Sequence, residues 1–145
     1  MRSFLVSWQF WALLSAVFAA LTAIFAKVGV ENVDSDLATF IRTITILLVI
    51  GAILTAREQW QGWGAISTRT FTFLILSGLA TGASWLCYFR ALKIGDAARV
   101  APIDKLSVVL VALFGVLFLG ERLSEWNWAG VALIAAGAVL VAYRG

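Results

Sequence analysis

Apolar residues fall into five long stretches along this chain, separated by short polar breaks. Each stretch is close to the roughly 20 residues that an α-helix needs to cross a bilayer. The pattern predicts helices over about Ser7–Ala26, Leu37–Ala56, Phe71–Ala91, Ala97–Leu119 and Glu125–Tyr143. The N-terminal run from Ser3 to Ala26 carries no charge and exceeds the about 7–15 apolar residues of a secretory leader. It is therefore expected to stay as a spanning helix. The breaks carry helix punctuation. Asp34, Ser35 and Asp36 suit the N-cap of the second helix, Asp96 that of the fourth and Ser124 that of the fifth. Arg57–Thr70 is the longest break, and its Trp60 and Trp63 suit a loop lying along the headgroups. The expected fold is all-α: a polytopic membrane protein with five transmembrane helices, one domain over residues 1–145.

Polar positions inside the stretches narrow the reading. On the first helix, Trp8, Trp11, Ser15, Phe18, Thr22 and Phe25 recur every three or four residues, so they share a face. On the third, Ser77, Thr81, Ser84 and Tyr88 form a polar stripe, flanked by Trp85. Gly78-x-x-x-Gly82 lies beside it, a spacing whose ordinary meaning is close helix packing. The Gly- and Ala-rich fifth helix reads as a packing element. For the two polar faces, ordinary packing and a solute-lining cavity both remain open.

Charges within the spans are fewer and more informative. Arg42 lies six residues into the second helix, roughly 9 Å from its start. Snorkelling to the interface and inward pairing are both open to it. The fourth stretch begins Val100-Ala101-Pro102-Ile103-Asp104-Lys105, placing two ionisable groups where each costs roughly 2.5–3.5 kcal/mol. Adjacent helical residues point about 100° apart, so Asp104 and Lys105 are expected to face different partners. With five spans, Lys27, Arg42, Arg90, Asp104 and Lys105 all gather toward the side opposite the N-terminus. Arg42, Asp104 and Lys105 are expected to form one coupled network there.

Composition supports the membrane reading. The chain is 62% hydrophobic and 13% charged, against about 45–50% and about 25% for soluble domains. A net charge of +3 without a basic patch gives no case for nucleic-acid binding. One cysteine, Cys87, excludes an intrachain disulfide, and the absence of histidine removes the commonest general base and metal ligand. Nothing argues for an enzyme, a metal or a cofactor. Basic residues barely fix orientation. Arg2, Arg57, Arg69 and Arg122 flank one side; Lys27, Arg90, Lys93, Arg99 and Arg144 flank the other, and the embedded Arg42 and Lys105 favour N-out, C-in.

Leu119-Gly120-Glu121-Arg122-Leu123, followed by Gly130-Val131-Ala132-Leu133-Ile134-Ala135-Ala136-Gly137, resembles the end of an EamA domain of the drug/metabolite transporter superfamily. Tyr88-Phe89-Arg90-Ala91-Leu92, then Val100-Ala101-Pro102, resembles that family's passage from third to fourth helix, and Arg42 sits where the family often has an Arg. The resemblance covers essentially the whole chain. It implies half of a ten-helix inverted-repeat transporter, the short five-helix type, which needs a partner. It further implies alternating access, small organic solutes as cargo and a cavity lined largely by helices one, three and four.

The expected activity is secondary or facilitated transport across a bacterial inner membrane, since no ATP-binding loop is present. The expected working unit is an antiparallel homodimer of dual topology. Candidate substrate-binding or coupling residues are Arg42, Asp104, Lys105, Trp11, Ser15, Thr22, Thr81, Ser84, Trp85 and Tyr88. A non-transporting membrane scaffold or subunit and a lipid-linked-precursor flippase are the rival readings.

Overall fold

The computed structural model describes residues 7–143. Arg2 and Arg144, which entered the orientation count, lie outside them. Among the described residues every regular element is helical: α1 (Trp8–Gly29), α2 (Ser35–Ala56), a single 3₁₀ turn (Trp63–Ala65), α3 (Thr68–Ile94), α4 (Ala97–Asp104), α5 (Ser107–Leu119) and α6 (Glu125–Ala142). Five helical segments are long and apolar enough to cross a membrane, with α4 and α5 together making the fourth. The chain is a multi-pass membrane protein.

The helix ends follow from local chemistry. The Asp34 carboxylate accepts from the N–H groups of Asp36 and Leu37, at 2.9 and 3.4 Å, and so caps α2. Ser124 accepts from Asn127 N–H at 3.3 Å and caps α6 in the same way. Asp96 stands at the N-cap of α4, but its side chain makes no capping bond; its backbone carbonyl accepts from Arg99 and Val100 instead. At the other end of α2, Gln59 N–H reaches Leu54 carbonyl and Glu58 N–H reaches Thr55 carbonyl. This paired closure is the Schellman arrangement, and it puts Glu58 at the left-handed position, φ 53°. Gly120 closes α5 at φ 69°.

The fourth stretch departs from the expected single helix. It breaks at Lys105-Leu106, just after Pro102. Pro102 has no N–H to give the ladder. Tighter bonds carry the chain through: Leu106 to Ile103, Val108 to Lys105, Val109 to Leu106.

Contacts divide the chain into two compact units. One is Ala26–Lys93, comprising the last turn of α1, α2 and nearly all of α3. Its buried residues are Ala26, Val30, Ser35, Thr39, Phe89 and Leu92, with Val30 and Leu92 fully enclosed. The other joins the residues up to Phe25 with those from Ile94 onward. In it α6 packs against both α4 and α5, and Ala23, Gly115 and Ala138 are buried. Elsewhere the helices present their apolar side chains outward, Leu47, Phe73 and Leu133 among them, as lipid contact requires.

Candidate functional site

The end of the Ala26–Lys93 unit where α2 begins and α3 finishes is held by three charged contacts. Lys27 donates to the Leu92 carbonyl at 2.7 Å, and Lys93 donates to the Val33 carbonyl at 2.7 Å. Arg90 bonds both carboxylate oxygens of Asp36 at 3.1 Å. The Lys27 ammonium thereby satisfies one of the open carbonyls that the end of α3 leaves. These contacts fix the level of α2 against α3.

Arg42 uses that register. Its guanidinium carbon lies 4.0 Å from the centre of the Trp85 ring and 5.4 Å from that of Phe89. Trp85 and Phe89 are four residues apart, hence one turn apart on one face of α3. Arg42 is six residues beyond Asp36, and Trp85 five before Arg90, so the stacking contact lies roughly 7.5–9 Å deeper along both helices than the ion pair. The side chain reaches across to α3 at its own depth and does not stretch back to the interface. Snorkelling, one of the two options open to it from sequence, is not what it does. A cation over an indole face contributes about 0.5–1 kcal/mol when exposed and about 2 when desolvated. Tyr88 stands close enough to interact electrostatically with the same guanidinium.

Three of the ten candidates are thus brought together: Arg42, Trp85 and Tyr88. Phe89 belongs with them and escaped sequence reasoning; its four-residue spacing from Trp85 is the signal that could have found it. Thr81 and Ser84 lie further along α3, both exposed. The Thr81 hydroxyl donates to the Ser77 carbonyl at 2.9 Å. Thr39, Thr43, Thr45, Thr55 and Thr72 bond back in the same way to the carbonyl four residues earlier. These threonine hydroxyls are therefore satisfied within their own helices, so a polar residue in a span does not by itself require a cavity.

In the other unit, Trp11 and Ser15 are exposed on α1, and Thr22 is half-buried. Asp104 and Lys105 correct the expectation that they face apart. The Lys105 ammonium lies 3.2 Å from the Asp104 carboxylate. The reason is the helix break: α4 ends at Asp104, so the 100° step no longer separates the two side chains. Each of the three charges expected in one network has a neighbour within its own unit. Glu121, in the Leu-Gly-Glu-Arg-Leu motif, folds over Gly115, whose carbonyl accepts from both Gly120 and Glu121 N–H.

Residues 6–143 match the EamA-like transporter family. A Sinorhizobium protein described as an "uncharacterized transporter in cobO 3'region" is 71% identical over 136 residues, 94% of this chain and 96% of its own length. A riboflavin transporter of Rhizobium johnstonii is 27% identical over 90% of this chain, which spans only 43% of that protein. A probable 4-amino-4-deoxy-L-arabinose-phosphoundecaprenol flippase subunit of Pectobacterium atrosepticum, ArnE, is 32% identical over 59% of this chain and 78% of its own length. No solved structure gives a significant match. Five spans in this order, matched across nearly their whole extent, mean that the chain belongs to the EamA-like transporter family.

Proposed function

We propose that the protein carries small organic solutes across a bacterial inner membrane, by secondary or facilitated transport, as a homodimer of half-transporters in opposite orientations. One observation carries this reading: the chain aligns along 90% of its length with under half of a solute transporter of its family. Two copies would supply the span count of the longer protein. Inverted halves place a solute between them near the midplane. Arg42, Trp85 and Tyr88 would contact the solute, with Trp11, Ser15, Thr22, Thr81 and Ser84 lining its path. Asp104 and Lys105, at a break in a spanning helix, would respond to the coupling ion, since discontinuous helices form the ion sites of other carriers.

Reconstitution tests this reading. Purified protein in liposomes preloaded with a candidate solute should exchange it for the labelled form outside. Liposomes that exchange none of a broad metabolite panel would overturn it. A second reading, movement of a lipid-linked sugar carrier, is favoured by the similarity to a flippase subunit. It predicts that the same liposomes turn over a short-chain polyprenyl phosphosugar between leaflets and leave soluble metabolites where they are.

A further inference from the structure

We infer that Arg42, stacked on Trp85 and Phe89, is the docking point for an oxyanion, a carboxylate or phosphate, on the transported solute. The inference rests on the transport reading and gives it a substrate class. Geometry carries it. The guanidinium carbon lies over the Trp85 and Phe89 rings, 4.0 and 5.4 Å from their centres. A ring is no match for the in-plane N–H groups of a guanidinium, which pair best with carboxylate or phosphate in a two-bond fork. Within residues 26–93 no oxygen accepts a hydrogen bond from Arg42.

The carboxylates of the unit are committed or remote. Asp36 bonds Arg90, and Asp34 caps α2. Glu31 and Glu58 lie in the turns outside the spans. The other cations of this end are spent as well: Lys27 and Lys93 on carbonyls, Arg90 on Asp36. Arg42 lies well inside the α2 span and is half-buried, and no carboxylate of this unit bonds it. A charge at that depth is costly without an anion, and the rings offset only part of that cost. Phe89, only 3% exposed, anchors the ring pair in the packed end of the unit. The guanidinium is therefore held in place before an anion arrives.

The test measures binding to the full-length purified protein, as the shift in the temperature at which its monodisperse gel-filtration peak is lost. A ligand of the folded state raises that temperature by an amount that grows with the logarithm of its concentration over its Kd. Benzoate and phenyl phosphate are compared with benzamide and benzyltrimethylammonium at equal ionic strength. The two anions should stabilise the wild type, and the neutral and cationic analogues should not. Arg42→Gln should weaken anion affinity about ten- to a hundredfold, the worth of charge-assisted hydrogen bonds. Arg42→Lys, which keeps the charge and guards against a folding failure, should retain part of it. Arg69→Gln, an exposed arginine at the far end of α3, should retain all of it.

Equal anion binding by wild type and Arg42→Gln, or none by either, overturns the assignment. Nanodiscs separate the two sources of oxyanion. Stabilisation by phosphatidylglycerol over phosphatidylcholine that benzoate cannot displace would make Arg42 a lipid-headgroup site and overturn the solute assignment. The transport reading fails separately. Wild-type protein that binds the anions through Arg42 but exchanges no solute across liposomes defeats transport and leaves the docking point standing. Solute exchange that Arg42→Gln leaves untouched defeats the docking point and leaves transport standing.

Discussion

Glu58 and Gly120 hold the same kind of backbone position with opposite suitability. Each stands just past a helix end in the left-handed region, at φ 53° and 69°. A side chain there crowds the backbone, and glycine does not. Glu58→Gly is therefore expected to raise stability by about 1 kcal/mol, and Gly120→Ala to lower it by a similar amount. Gly115→Ala makes the contrast. An added Cβ would stand 2.5 Å from Glu121 Oε2, but that atom ends a flexible side chain and can swing away. Its cost is expected to be about 0.5 kcal/mol or less. Reversible unfolding in mixed micelles ranks the three; equal effects of the two alanine substitutions would contradict the backbone argument.

At the scale of the element, the start of α2 is sensitive to acid. The N–H groups of Asp36 and Leu37 hold the Asp34 carboxyl below its ordinary range. A depressed folded pKa contributes stability above the unfolded value, lost as pH falls through the folded one. Asp34→Asn caps through an amide that does not titrate. It should flatten the Asp34 share of the acid limb below the ordinary aspartate value of about 4, in a series of unfolding curves. An unchanged limb would remove Asp34 from the account.

The same scale shows what the sequence could disclose. Five spans were legible because each fills a bilayer's thickness with apolar residues. The charged ends were placed too early: α1 continues past Lys27 to Gly29, and α3 past Ala91 to Ile94. Lys27 and Lys93 extend their helices because their side chains bond backbone carbonyls elsewhere in the unit. The break at Lys105 was invisible, because apolar periodicity runs through it unchanged and Pro is tolerated in such helices. Arg42, Trp85 and Tyr88 were each singled out, but their meeting depends on the level of α2 against α3. Asp36 and Arg90 set that level, and no single-helix pattern contains it. Phe89 read as one more apolar residue.

For the whole molecule, orientation is the open variable with a direct measurement. The flanking basic residues divide almost evenly between the two sides, so the bias that orients most membrane proteins is weak here. Reporter fusions to the C-terminus should be active on both sides of the membrane, and lysines added to either terminus should skew the ratio. A single orientation, with full transport in cells lacking related half-length proteins, would exclude the opposed dimer.

Residues 26–93 are also contiguous in sequence, whereas the second unit draws on both ends of the chain. The ribosome makes these two kinds of unit at different times. Every contact within 26–93 has its partners as soon as Lys93 has been synthesised. The opening helix must wait for the remaining 52 residues (145 − 93). At about 5–20 residues per second that wait is roughly 3–10 s. During it, the Arg42 stack and the Asp36–Arg90 pair can already exist while α6 is still unmade. The order of synthesis, more than the strength of any contact, thus decides which unit a nascent chain possesses first.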